Sequence, residues 1–273
     1  MTASAIAVRL PRPRLLGVYY GLLILLLYLP IAVLFLFSFN AGTSLSFPLE
    51  GLTTHWYERL FDSPEVLRAA RNSLVVAAVS STAATILGTQ VALLLTRFRF
   101  RSEALLFTLA MLPLVVPVVV LAVALLVLFL AAGIDRSLWT VAAGHTVVAL
   151  PFVVLIVAAR LAGFDPSLEE AAMDLGAPYR RVIARIILPL IAPAVVSAWL
   201  VAFTVSLDEF ALALFLAGTE PTFPVYLFSQ LRFASRLPVM IALAVLLMTG
   251  TLLLVLLAEW IRRRGRPEPA HTG

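Results

Sequence analysis

The chain is 273 residues long, 62% of them hydrophobic and only 13% charged, with a mean hydropathy of +1.04, whereas an ordinary soluble domain carries about 45–50% apolar and about 25% charged residues. That excludes a water-soluble enzyme. The absence of any lysine or cysteine also excludes a G-x-x-x-x-G-K-[ST] phosphate loop, a Schiff-base nucleophile, disulfides and Cys-ligated metals. The formal charge of +5 comes from 20 arginines set against 15 acidic residues, and their placement says more than their sum.

Six charge-free runs follow one another: Leu15 to Phe39, Asn72 to Thr96, Ala104 to Ile134, Ser137 to Ala159, Ile186 to Leu207 and Leu237 to Ala258, none shorter than 22 residues. Crossing a hydrocarbon core of about 30 Å takes about 20 apolar residues at the helical rise, and backbone groups in lipid must be paired within the segment. Each run is therefore predicted as a membrane-spanning helix. The expected fold is an all-α membrane protein, a single domain of six spans over residues 1–273.

The first run reads as an anchor rather than a cleaved signal, because its 25 uncharged residues exceed an h-region and no small-residue cleavage site closes it. The following loop, Asn40 to Arg71, holds Pro48, Gly51, Trp56 and Tyr57, which predicts a short amphipathic helix with aromatics anchoring the membrane surface. Its mixed charges, Arg59, Arg68 and Arg71 with Glu58, Asp62 and Glu65, form a solvated rim or a landing surface for a binding protein. Asn72 and Gln90 are expected to bond between helices. Pro113 and Pro117 interrupt the third run, so a kinked or tilted helix is predicted there. His145 has no carboxylate within its span; a hydrogen bond to a neighbouring helix is expected rather than a proton relay. With His55 and His271 it is too scattered to make a metal site.

The loop from Arg160 to Arg185 is built as a short capped helix. Asp165 suits the N-cap and Pro166 the first helical position. Glu169 and Glu170 sit near the positive end, and Gly176 followed by Pro178 terminates it. Leu168, Ala171, Ala172 and Leu175 recur at i, i+3, i+4 and i+7, an apolar stripe whose alanines allow close approach of another surface. Glu170 and Asp174 stand i, i+4, where like charges repel unless a cation lies near. Residues alone leave two readings open: a partner-docking helix, or a surface helix resting on headgroups.

The fifth span ends at Asp208 and Glu209, an acidic pair at a membrane edge, with Trp199 and Phe203 lower on the same helix as candidate aromatic walls for alkylammonium groups. The alternative is structural: the carboxylates cap a helix break or pair with Arg232 or Arg236, and Trp199 packs. The connection from Asp208 to Arg236 is mostly apolar yet holds Gly218, Pro221 and Pro224, which predicts a re-entrant or half-buried segment. Arg262, Arg263 and Arg264 after the last span read as a stop and lipid anchor rather than a nucleic-acid patch.

With the N-terminus inside, inner segments hold 14 arginines (9, 12, 14, 97, 99, 101, 160, 180, 181, 185, 262, 263, 264, 266) and outer segments hold 6 (59, 68, 71, 136, 232, 236). The positive-inside rule then places both termini and the 160–185 loop in the cytoplasm.

The run Glu170-Ala171-Ala172, three residues, Gly176, nine residues, Ile186, one residue, Leu188-Pro189 resembles the E-A-A-x3-G-x9-I-x-L-P loop of bacterial ATP-binding cassette (ABC) importer permeases, with no position departing. Leu27 to Asn40, Gly51 to Tyr57, Arg71 to Leu74 and Phe203 to Phe210 are similar to the second permease of spermidine/putrescine importers. The resemblance implies the type I ABC importer permease fold and a non-catalytic, multi-pass subunit of the bacterial inner membrane. It also implies a coupling helix that docks on an ATPase. Glu170, Ala171 and Gly176 carry over as contact positions, with Ala172, Asp174, Leu188 and Pro189 completing the candidate coupling set. The implied partners are two ATP-binding cassette ATPases, a homologous permease and a periplasmic solute-binding protein, with ATP and magnesium held by the ATPases and no cofactor in this chain. A different small solute remains the alternative cargo. A gradient-driven secondary transporter would predict ionisable residues within the spans, and the six charge-free runs hold no carboxylate, lysine or arginine.

Overall fold

A computed structural model describes residues 14–163 and 165–264. Arg9, Arg12, Arg266 and His271 lie outside the described residues, as do the side chains of Arg14 and of Arg262, Arg263 and Arg264. Among the described residues the chain is helical almost throughout, with one isolated antiparallel bridge between Asn40 and Leu52. In order the helices are α1 (Arg14–Phe37), α2 (His55–Phe61), α3 (Pro64–Arg97), α4 (Glu103–Val115), α5 (Val118–Ala131), α6 (Leu138–Ala162) and α7 (Ser167–Asp174). There follow α8 (Tyr179–Val182), a π-helical turn (Ile183–Ile187), α9 (Leu188–Asp208), α10 (Ala211–Leu216), α11 (Phe223–Gln230), a 3₁₀ turn (Ala234–Arg236) and α12 (Leu237–Arg264).

Five stretches are long and apolar enough to cross a membrane: α1, α3, α6, the run Tyr179–Asp208 and α12. The third predicted span differs from the expectation of a kinked or tilted helix. It is a pair of helices, α4 and α5, meeting at 112°, and it counts as a sixth crossing only if the bent pair is one broken span. Pro117 is the cause: it has no N–H to give the ladder, and it holds Val116 extended at φ −75°, ψ 129°, as the residue before a proline prefers. Pro113, by contrast, is accommodated inside α4.

The described chain forms two compact units, one from the residues up to Leu60 with Phe233–Leu247, the other from Phe61–Arg232 with the residues from Met248 onward. In the first, α1 leaves its apolar side chains almost wholly uncovered, as a lipid-facing helix does. The loop after it is organised by Asn40. Its Oδ1 accepts from the Glu50 N–H at 3.0 Å, its Nδ2 donates to the Ser44 carbonyl at 3.3 Å, and its carbonyl accepts from Trp56 Nε1 at 2.6 Å. The short helix predicted in this loop is α2, but Trp56 and Tyr57, the anchors expected there, are held by hydrogen bonds to the preceding segment. Trp56 is only 4% exposed, because burying the indole also satisfies its N–H, and the Tyr57 hydroxyl donates to Ser38 Oγ at 2.8 Å.

The second unit centres on α3, α6 and α9, whose shared core is rich in small side chains: Ala84 and Ala92, Ala149 and Val153, Ala198 and Ala202 are all fully buried. Small residues let helices approach closely where lipid gives no hydrophobic drive between them. Gly88 is the extreme case, since a Cβ there would stand 2.8 Å from Val153 Cβ. Gly88→Leu is therefore expected to cost about 1–3 kcal/mol by forcing α3 from α6. A thermal-unfolding midpoint in detergent equal to that of the parent would contradict this.

The connection after α9 is half-buried, as predicted, and consists of α10 and α11. Leu212, Ala213 and Leu216 of α10 are fully buried beside Val141 of α6 and Ala122 of α5. The segment before α11 is paired by side chains of α3: Asn72 Nδ2 donates to the Pro221 carbonyl at 3.1 Å, and the Phe223 N–H donates to Ser73 Oγ at 2.8 Å. Asn72 thus bonds between elements as expected. Gln90 does not; it is exposed on α3.

Candidate functional site

The loop between α6 and α9 closes at Gly176 as its sequence predicts and opens one residue later than expected, α7 beginning at Ser167 with Pro166 flanking it. Asp165 Oδ1 accepts from the Ser167 N–H at 2.9 Å, and that hydrogen bond holds the exposed carboxyl below the usual carboxylate range. At the other end the Ala177 N–H donates to the Ala172 carbonyl at 3.0 Å and the Gly176 N–H to the Met173 carbonyl at 2.8 Å. This pair of bonds is a Schellman end. It needs the left-handed backbone that Gly176 adopts at φ +83°, a region glycine enters without a steric penalty.

The α7 helix is oriented by its inward side chains. Glu169 is buried, and Ala172 is partly buried against the core that also takes Ala177 and Tyr179. The predicted apolar stripe is therefore split. Leu168, Ala171 and Leu175 face outward, Leu175 at 90% exposure, while Ala172 turns under, because a four-residue stripe is wider than the contact beneath it. Glu170 and Asp174 are exposed beside the outward leucines. The presented surface is thus an acidic ridge with an apolar border.

Beyond Gly176 the chain re-enters the bundle through α8 and the π-helical turn, where the Leu188 N–H bonds back to the Ile183 carbonyl. Leu188 and Pro189 are both exposed at the start of α9, and Pro189 offers no N–H to the ladder.

One feature of this region was not visible in the sequence. Arg97, at the end of α3, places Nε 2.7 Å from Glu169 Oε1, the two side chains being 13% and 7% exposed. The same guanidinium donates from Nη2 to the Leu161 carbonyl of α6 at 3.1 Å. Next to it Phe98 meets Tyr179 edge to face, ring centres 5.6 Å apart. No local pattern links Arg97 to Glu169, 72 positions apart.

At the other end of α9 the four candidate residues are only partly brought together. Trp199 and Phe203 stack at 5.1 Å with 20° between their planes, and Trp199 Nε1 donates to Thr82 Oγ1 of α3 at 3.1 Å. Asp208 is exposed at the last residue of the helix, about 13 Å further along and about half a turn round from Trp199. Glu209 Oε1 accepts from the Leu212 N–H at 3.1 Å and so caps α10. Deeper in the bundle His145 Nδ1 lies 2.8 Å from Ser206 Oγ, which lies 2.8 Å from Ser80 Oγ. This buried chain ties α6, α9 and α3, the interhelical role expected of His145.

The architecture and the capped loop define an all-α membrane subunit of the ABC importer type, and the comparisons agree. The sequence matches the family described as binding-protein-dependent transport system inner membrane component over residues 84–267. It is 38% identical over 240 residues to the spermidine/putrescine transport system permease protein PotC of Haemophilus influenzae, covering 87% of this chain and 92% of that one. It is 36% identical over 250 residues to the putrescine transport system permease protein PotI of Escherichia coli strain K12, covering 89% and 88%.

The fold resembles that of a bacterial ABC transporter involved in the import of the acidic polysaccharide alginate (TM-score 0.72, 19% identity, 93% and 95% of the two chains). It also resembles the MetNI methionine ABC transporter in an inward-facing conformation (TM-score 0.64, 19% identity, 74% and 96%). This chain belongs to the binding-protein-dependent transport system inner membrane component family. It is a multi-pass inner membrane permease subunit.

Proposed function

We propose that this chain is one of two permease subunits of an importer that carries a small cationic solute of the spermidine/putrescine type inward. The cargo reading is supported by relatives named for spermidine and putrescine that align with nearly the whole chain. Both termini and the 160–185 loop lie in the cytoplasm, a placement supported by the arginine distribution. A homologous permease completes the pathway and a periplasmic binding protein delivers the solute. Two ATPase subunits bind ATP and magnesium, and this chain needs no cofactor of its own.

One observation carries the coupling role: a doubly capped helix that turns Glu170, Asp174, Ala171 and Leu175 outward and is anchored beneath. Such a ridge suits a groove lined by basic and apolar groups, and nucleotide-driven closure of the ATPases then moves it. Leu188 and Pro189 begin the helix that responds. At the outer end Asp208 lines the path of the cation, where a carboxylate favours alkylammonium groups; the Trp199–Phe203 stack offers aromatic faces further in, about half a turn round α9, while Glu209 caps α10.

The cargo is tested in cells deleted for their own polyamine importers. Expression of this chain with its partner subunits should restore uptake of labelled putrescine or spermidine, and failure to restore either would overturn that reading. In the same cells Asp208→Asn should lower uptake of the dication by up to about fivefold while assembly persists, since an exposed pair of opposite charges contributes about 0.2–1 kcal/mol. Unchanged transport kinetics would remove Asp208 from the path.

A further inference from the structure

We propose that Arg97 is a positioning residue of the coupling apparatus: through its buried ion pair with Glu169 it carries displacement of α7 directly into α3, so that the loop drives two membrane helices and not α9 alone. The proposal rests on the reading of α7 as the ATPase contact.

Three observations support a stiff link. The Arg97 guanidinium holds Glu169 at 2.7 Å and the Leu161 carbonyl at 3.1 Å, so one planar group fixes the end of α3, the last turn of α6 and the first turn of α7 together. Both side chains are largely excluded from solvent, and separating a buried pair leaves a bare charge, so the contact holds or breaks as a unit and does not slip. The Phe98–Tyr179 contact, between the residue after α3 and the first residue of α8, braces the same junction.

The route from α7 to α9, by contrast, is jointed. It runs through a left-handed glycine, a four-residue helix, a π-helical turn and a proline without an N–H. Breaks of this kind are where helices bend. A push on α7 is thus absorbed in part on its way to α9 but transmitted whole to α3. That helix has 34 residues, about 50 Å at the helical rise, and it carries Thr82, the hydrogen-bond partner of Trp199. Arg97 therefore connects the ATPase contact to the aromatic stack by a path that bypasses the joint.

The test uses the complete transporter in proteoliposomes and reads three quantities: ATPase retained on the permease, ATP hydrolysed, and labelled putrescine or spermidine taken up. In Arg97→Met and Glu169→Gln the ATPase should remain bound and hydrolysis should stay within about twofold, while ATP spent per solute rises about tenfold, within the range of allosteric coupling. Arg97→Lys, which keeps a cation opposite Glu169, should recover most of the coupling. An unchanged ratio of ATP to solute in both variants overturns the proposal, and so does loss of the ATPase in step with uptake, which would make the pair a folding support only. The double variant Leu168→Asp, Leu175→Asp tests the underlying reading separately. If the ATPase stays bound to it, the docking role of α7 itself fails, whatever Arg97 does.

Discussion

Gly176→Pro is expected to lower ATP-driven uptake by about 100-fold while membrane insertion stays intact, the upper end of what one coupling contact conveys. Gly176 closes α7 at φ +83° with its N–H on the Met173 carbonyl. Proline is fixed near φ −65° and has no N–H, so it can adopt neither feature. It also disfavours the helical backbone of the preceding residue, and Leu175 sits at φ −78°, ψ 8°, a conformation that proline would push toward extended. The Schellman end is lost, and with it the placement of Leu175. A Cβ at Gly176 would meet nothing within 4 Å, so the substitution does not press on the spans and insertion proceeds. Uptake in proteoliposomes, normalised to inserted protein, measures the effect. Parental uptake in this variant would refute the coupling role of the loop.

Glu170→Arg should weaken binding of the ATPase by about two orders of magnitude, because like charges brought together at an interface cost several kcal/mol. Glu170 is exposed beside Asp174 on the acidic ridge, and the proposed groove that receives it is basic. The substitution also exchanges a favourable charge for an unfavourable one near the N-terminus of α7, but that is a matter of about 0.3–1 kcal/mol and leaves a helix held by Glu169 and two caps in place. Glu170→Gln, which removes the charge without reversing it, should have a smaller effect in the same direction. Titration of the solubilised permease with the ATPase reads both, and equal affinities for parent and Glu170→Arg would place the ATPase contact elsewhere.

Local chemistry made much of this legible in the sequence. The ends of α7 follow from Asp165, Gly176 and Pro178, because capping depends on residues within one turn of each other. The short helix at 55–61 and the half-buried 208–236 segment follow from turn residues set in apolar sequence. What escaped depends on distant partners. A hydropathy pattern shows that residues 104–134 are apolar but not that Pro117 turns them by 112°; the same residue type is tolerated within α1, α4, α6 and α9. Trp56 read as an interface anchor because its burial depends on the Asn40 carbonyl, 16 positions away. Gln90 read as a bond between helices because polarity in a span does not reveal which face it occupies. The Arg97–Glu169 pair joins residues that each had a sufficient local explanation, one as an inside arginine and the other as a first-turn acid.

The most direct measurement is ATP-dependent uptake of labelled putrescine and spermidine into proteoliposomes holding this chain with its neighbouring permease, ATPase and binding protein, repeated with each component left out. The expected result is uptake that requires all four together with ATP. Uptake that persists without the ATPase, or ATP hydrolysis by the full assembly with neither polyamine moved, would contradict it.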